Sequence, residues 1–149
     1  GTNDCKHELI DAKNLKNIYL SSEMTTFFQQ YDTPYLESVY AKNNSQFKDI
    51  DGVLYKLNSS GKWEVYNYPN NHKAAEFDLP ENSIFNPNIL TNKYLKTIKI
   101  PASAEISEYT LKHICRGDIF PNLQTVYIEN GSSYESYIKS TFTGKVIVY

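Results

Sequence analysis

Few residues in this chain have both the type and the spacing that chemistry demands. His113 and Cys115 lie two positions apart, and an imidazole beside a thiol is the pair that nucleophilic catalysis uses. The residues around them weaken that reading. Leu111, Ile114 and Cys115 fall at helical spacing, which puts His113 on the polar side of a helical turn and leaves Cys115 to pack as a small hydrophobe. The three histidines, His7, His72 and His113, are far apart and lack metal-ligand spacing. Asp49-Ile50-Asp51-Gly52 offers two carboxylates of the kind that open a calcium loop. Calcium needs roughly six to eight oxygens, and Val53-Leu54-Tyr55 supply no side-chain oxygen there. Asp51-Gly52 reads more simply as a turn. No motif marks a carboxylate pair for glycoside hydrolysis. No Gly-rich phosphate loop, G-x-S-x-G or H-E-x-x-H is present. The expectation is therefore no catalytic residue, no metal and no cofactor: a non-enzymatic chain.

What remains is tyrosine. The chain has 13 Tyr against one Trp and one Met. A ring with an apolar body and a polar tip suits half-exposed sheet faces and binding surfaces. Placing these rings requires the elements that carry them, and those elements repeat. Asn14-Leu15-Lys16-Asn17-Ile18-Tyr19-Leu20, Tyr35-Leu36-Glu37-Ser38-Val39-Tyr40-Ala41, Tyr94-Leu95-Lys96-Thr97-Ile98-Lys99-Ile100 and Asn122-Leu123-Gln124-Thr125-Val126-Tyr127-Ile128 share one pattern. Ala74-Ala75-Glu76-Phe77-Asp78-Leu79-Pro80 is a weaker fifth copy. The anchors Ile18, Val39, Phe77, Ile98 and Val126 are spaced by 21, 38, 21 and 28 residues. Spacings near 21 lie in the ~20–29 residue window of leucine-rich repeats. The long gap holds an insertion. Val53–Leu57 and Trp63–Tyr68 are strand-like, Asn58–Lys62 is a turn, and Pro69 ends the second strand, so about 47–70 reads as a β-hairpin.

Phe47-Lys48-Asp49-Ile50-Asp51-Gly52-Val53-Leu54-Tyr55 is similar to the F-x-x-I-D-G-V-L-Y hairpin opening of BspA-like bacterial leucine-rich-repeat surface proteins. Tyr66-Asn67-Tyr68-Pro69 resembles that hairpin's close. Leu95-Lys96-Thr97-Ile98-Lys99-Ile100-Pro101 resembles the family's L-x-x-I-x-I-P strand, and Gly131–Ile138 resembles its terminal segment. The resemblance runs from about Leu15 to the end. The chain departs from the family between strands, where Ile84-Phe85-Asn86 and Glu105-Ile106-Ser107 stand in place of the usual S-I-G and A-F.

The fold expected is one domain over 1–149. It is an α/β solenoid of leucine-rich-repeat type, with a parallel concave sheet of about five strands. Convex segments would be short helices or irregular, and the hairpin would protrude. Stacked repeats bury a common core. Ile18 and Leu20, Val39 and Ala41, Phe77 and Leu79, Ile98 and Ile100, and Val126 and Ile128 point inward. Tyr19, Tyr40, Asp78, Lys99 and Tyr127 then form an outward column, with Tyr19 stacked on Tyr40 and Asp78 beside Lys99. Ser107 caps a helical turn that Gly117 ends. A short helix lies over Tyr134–Thr141, and Lys145–Tyr149 covers the end of the stack.

The Tyr column, with Asp78 and Lys99, is the first candidate binding face. Trp63, Tyr66 and Tyr68 on the hairpin are the second. Either set can equally be an aromatic ladder that only stabilises the sheet. The resemblance implies an extracellular or cell-surface protein of a bacterium that recognises a protein partner, in adhesion or host contact. The other reading is a carbohydrate-binding module in which the Tyr/Trp platform stacks sugar rings, so the expected ligand is a protein or glycan on a host or neighbouring cell. A net charge of −2, without a basic run, gives no footprint for nucleic acid. No apolar stretch approaches the ~20 residues of a transmembrane helix. Cys5 and Cys115 fit either one bridge or two free thiols.

Overall fold

The computed structural model describes residues 13–27, 33–87, 89 and 91–149. In chain order the elements are β1 (Asn17–Leu20), β2 (Ser38–Ala41), β3 (Phe47–Ile50), β4 (Val53–Leu57), β5 (Trp63–Asn67), β6 (Glu76–Asp78) and β7 (Ile84–Phe85). There follow β8 (Thr97–Ile100), β9 (Glu105–Ile106), α1 (Glu108–Arg116), β10 (Thr125–Ile128), α2 (Glu135–Thr141) and β11 (Lys145–Val148). The five repeat copies become β1, β2, β6, β8 and β10. They pair in parallel with their anchors in phase: Ile18 opposite Val39, Phe77 opposite Ile98, and Ile98 opposite Val126. Val39, Phe77, Ile98 and Val126 are buried, and Ile18 packs half-buried against a core cluster.

The expected solenoid with one five-stranded parallel sheet is not what forms. The strands divide into three sheets. β1–β2 is a parallel pair, and β6, β8, β10 and β11 make a parallel sheet of four in the order β11-β10-β8-β6. The third sheet is mixed: β3, β4 and β5 run antiparallel, then β7 and β9 continue parallel to β5. With two short helices, the fold is mostly strand. The cause is the insertion. Val39 N–H donates to Gly52 O at 2.9 Å, so the β3–β4 turn adjoins β2, and no ladder joins β2 to β6. The turn needs Gly52. Its φ is +84°, and an added Cβ would sit 2.5 Å from Ser38 Oγ. The segments that depart from the family pattern, Ile84-Phe85 and Glu105-Ile106, supply β7 and β9 and extend the hairpin's sheet.

Two apolar clusters result. The smaller gathers Leu20, Phe27, Leu36, Val39, Ala41, Phe47 and Leu54. The larger is built on Phe77, Phe85, Ile98, Ile100, Phe120 and Val126, with α1 and α2 laid against it. Strand β4 is the wall between them. Leu54 faces the smaller cluster, while Val53 and Tyr55 face the larger, and all three are at most 1% exposed. Burial of Val53 and Leu54 contributes about 1.5–3 kcal/mol each.

Two asparagines brace the approaches to the strands in the same way. Asn92 is fully buried; its Nδ2 donates to Pro69 O (3.1 Å) and His72 O (2.9 Å), and its Oδ1 accepts from Tyr94 N (2.9 Å) and Leu95 N (3.1 Å). Asn44 repeats this with Ser21 O (2.8 Å) and Met24 O (2.7 Å), and with Gln46 N (2.8 Å) and Phe47 N (2.9 Å). Each ties one coil to the preceding one about twenty residues away in the chain.

Helix α1 forms as its ends predict. Ser107 Oγ accepts from Thr110 N at 3.1 Å, and Gly117 ends the helix in the left-handed region at φ 77°. Leu111, Ile114 and Cys115 are its buried side. Helix α2 falls within the expected Tyr134–Thr141 and buries Ile138. The last strand lies at the end of the sheet: β11 pairs in parallel with β10 and is itself the edge. Of the segment before Leu15, Gly1–Ala12 lies outside the described residues, including Cys5 and His7.

Candidate functional site

The expected outward column is interrupted. Tyr19 and Tyr40 are register partners on β1 and β2, with ring centroids 5.1 Å apart and planes at 23°. Tyr19 is 74% exposed, and Tyr35, just before β2, is 53% exposed. Single exposed aromatics are ordinary on a protein surface, and Tyr109 is nearly as open at 72%; what sets Tyr19 apart is its stacked partner. On the four-stranded sheet, Asp78, Lys99 and Tyr127 are in register, and Ile147 follows on β11. Asp78 and Lys99 do not pair. Lys99 Nζ lies 4.4 Å from the centroid of the Tyr149 ring, a cation–π contact. The Tyr pair and the Asp78–Lys99–Tyr127 row therefore belong to different sheets, with the β3–β4 turn beside β2.

The hairpin aromatics do not share a platform. Tyr68 is 1% exposed and packs edge-on against Phe77 and Phe120 in the larger cluster. Tyr66 is half-buried toward the smaller cluster, and its hydroxyl donates to Phe27 O at 2.9 Å. Trp63 packs against the larger cluster with Lys48 Nζ 4.3 Å from its ring centroid. The physical reason is that the hairpin is wedged between two cores. β4 is buried on both faces at Val53, Leu54 and Tyr55, and a bulge opposite it in β5, at Tyr66, breaks the alternation.

The residues weighed for chemistry are used structurally. His113 Nδ1 lies 2.6 Å from Asp118 Oδ2, and the Tyr109 ring packs tilted against the imidazole, centroids 4.3 Å apart and planes at 58°. Cys115 points the other way, into the core. Burial pushes its thiol up from the ordinary value, which keeps it protonated and unreactive. Asp49 Oδ1 accepts from Ala41 N at 2.8 Å and ties β3 to β2. Asp51 is a turn residue at φ 51°. Among the described residues no three His, Cys, Asp or Glu side chains gather where a metal ion would sit.

A concavity that the sequence did not announce lies where the sheets part. It measures about 300 Å³ and is walled by Ile50, Asp51, Val53 and Tyr55 of the hairpin, His72 and Ala74, and Glu76, Phe77 and Asp78 of β6. Asp78 is thus a wall of this cavity as well as a member of the strand row. The Tyr55 hydroxyl is buried with no hydrogen-bond partner among the described residues.

No protein-family model and no curated protein matches the chain. Over 90% of its length the chain is similar to a leucine rich cell surface protein from Faecalibacterium prausnitzii A2-165, with a TM-score of 0.51. The two are 14% identical, and the match covers 48% of that protein, so this chain spans about half its length. At that identity the likeness is one of fold. Among the described residues no helix is long and apolar enough to cross a membrane.

Proposed function

We propose that the chain is a non-enzymatic binding module of a bacterial cell surface, of the BspA-like kind, and that it recognises a protein partner in adhesion or host contact. The contact face is the strand face bearing Tyr19 and Tyr40. The observation that carries this reading is the Tyr19–Tyr40 stack, 5.1 Å between centroids, with Tyr19 74% exposed. Stacking fixes both rings before any partner arrives, so little side-chain entropy is lost on contact. Tyr is also enriched at the centres of protein interfaces. The fold shared with a bacterial leucine-rich cell-surface protein supports the location, although fold by itself does not assign a function.

The test is a binding screen of the purified chain against extracellular-matrix proteins and glycans, beside a Tyr19→Ala/Tyr40→Ala variant of unchanged circular dichroism. A protein hit lost in the variant is expected. A glycan hit lost in the variant replaces this reading with the carbohydrate-binding one. A hit that survives the variant removes the Tyr pair from the contact.

A further inference from the structure

The four-stranded sheet ends on one side at β11, and among the described residues no strand pairs with its far edge. Which backbone groups face that edge follows from the ladder. Lys145 N–H donates to Gln124 O at 2.8 Å, Tyr149 N–H donates to Ile128 O at 3.1 Å, and Tyr149 O accepts from Asn130 N–H at 2.9 Å. In a parallel pair, alternate residues turn both backbone groups toward the same neighbour. Lys145, Ile147 and Tyr149 therefore face β10, and Val146 and Val148 present their N–H and C=O groups outward. An open edge of this kind is a template for another strand. Its side chains are apolar. Val146 is half-buried against the larger cluster, Val148 is 36% exposed, and Ile147 lies on the opposite face beside Tyr127.

Other edges are blunted. β6 carries Glu76 and Asp78 on its exposed face, and at β9 the Ile106 N–H is taken by the Tyr134 hydroxyl at 2.9 Å. A further repeat is also a poor fit to β11. Thr143 stands three positions before Val146, where Leu95 and Leu123 precede Ile98 and Val126. It is exposed, and Phe142 packs on the cluster beside it. Charge indicates which strand does fit. Lys145, at the start of β11, is exposed and forms no ion pair among the described residues. At the other end burial, then Glu129, Glu81 and Asp78, raise the Tyr149 hydroxyl from its ordinary value, with Lys99 the cation at the ring. A strand that is basic at its start and has carboxylates about its end complements its own reverse.

We propose that β11 pairs antiparallel with β11 of a second copy of this chain, joining two four-stranded sheets across a two-fold axis at Ile147. In that register Val146 stands opposite Val148 of the second copy, and the two exchange both N–H···O bonds. Every outward N–H and C=O of the two valines then gains a partner. The valines meet on the core side, where Val148 is otherwise open. On the other face Lys145 comes over Tyr149 and toward Glu129 of the second copy. The two-fold makes each contact twice, which closes the pair. This interface is on a different sheet from the Tyr19–Tyr40 pair and stands whether or not that face binds a protein.

The test is sedimentation velocity of the whole chain, with reductant present, from about 5 to about 500 μM. The mass should pass from one chain to two as concentration rises, and stop there. Val148→Pro removes one outward N–H and none of those donated to β10. Lys145→Glu sets like charges at both ends of the pair, and its exposed position keeps the test open if the proline disturbs the strand. Each should raise the dissociation constant about tenfold or more, with circular dichroism unchanged. Tyr19→Ala/Tyr40→Ala should leave it unchanged. A mixture of ¹³C-labelled and unlabelled chains should show an intermolecular NOE between the two Ile147 Hα protons, which face each other in this register. A mass of one chain throughout, a mass that keeps growing past two, a dimer indifferent to Lys145→Glu, or a dimer without the Ile147 contact would overturn the proposal.

Discussion

Replacing Asn92 by alanine tests whether a buried amide, rather than apolar packing alone, holds the coils of this chain together. The side chain makes four hydrogen bonds, all to backbone. Pro69 O keeps a second partner, since His72 N–H also donates to it at 3.1 Å. His72 O, Tyr94 N and Leu95 N lose theirs. Taking the lower end of the cost of a buried unsatisfied group, about 1 kcal/mol each, gives a loss of about 3 kcal/mol. For a chain of 149 residues that lowers the melting temperature by about 10 °C. The internal control is Asn122→Ala, whose Nδ2 makes one exposed bond, to Lys93 O at 2.8 Å. That loss should stay within about 0.5 kcal/mol. Urea unfolding followed through Trp63 fluorescence gives both numbers, provided the slope with denaturant is the same for each variant. An Asn92→Ala midpoint equal to that of Asn122→Ala would refute the bracing argument.

Three further outcomes follow from the same geometry. Val126 is 1% exposed between Ile98 and Val146, so Val126→Asp buries an unpaired charge and should cost more than about 4 kcal/mol; an unchanged melting temperature would remove Val126 from the core. Gly52→Ala sets a Cβ 2.5 Å from Ser38 Oγ, whereas Gly61 has a similar φ of +78° and nothing within 4 Å. The Gly52 variant should therefore lose about 1–2 kcal/mol more than Gly61→Ala, and equal losses by urea titration would show that the turn does not abut β2. Tyr68→Phe removes a buried hydroxyl that has no partner among the described residues and should gain about 1 kcal/mol. Burial, then Tyr55, raises the Tyr68 hydroxyl above its ordinary 10.0, so the folded chain keeps a proton that the unfolded chain releases. That stability is complete below pH 10 and falls as the pH rises further, and the variant should show a shallower fall in urea midpoint above pH 10.

The repeat strands were legible because each needs only its own period. Alternation at Thr97-Ile98-Lys99-Ile100 fixes which residues face the core, and in-phase spacing fixes Ile98 opposite Val126. The caps of α1 were legible for the same reason, since Ser107 and Gly117 act locally. Sheet membership was not. Whether β2 joins β6 depends on the Val39–Gly52 hydrogen bond across the insertion, and no local pattern encodes that. The hairpin rings misled because a bulge in β5, with Leu54 opposite Asn67 and Tyr55 opposite Val65, makes Tyr66 an extra residue and turns Tyr66 and Tyr68 toward different cores. The Asp78–Lys99 register was readable, but the pairing was not: a four-carbon stem reaches Tyr149 as easily as a neighbouring strand. The Asn-x-x-apolar signal at Asn44-Ser45-Gln46-Phe47 and Asn92-Lys93-Tyr94-Leu95 was present in the sequence and would have located both braces.

The insertion explains both the Tyr19–Tyr40 face and the cavity at once. A two-stranded sheet such as β1–β2 is marginal by itself, yet it carries the Tyr19–Tyr40 stack. It is held because Phe47 and Leu54 of the hairpin complete its core and Asn44 ties it to the preceding coil. The turn that abuts β2 leaves β6 as the edge of its own sheet and opens the acidic cavity in front of it. Closing β2 directly onto β6 would merge the sheets, displace Gly52 from beside Ser38 and exchange its hydrogen bond to Val39 N–H for one from β6. The hairpin is therefore a structural divider: it rigidifies one face and creates the other, so a change in its turn should alter both together.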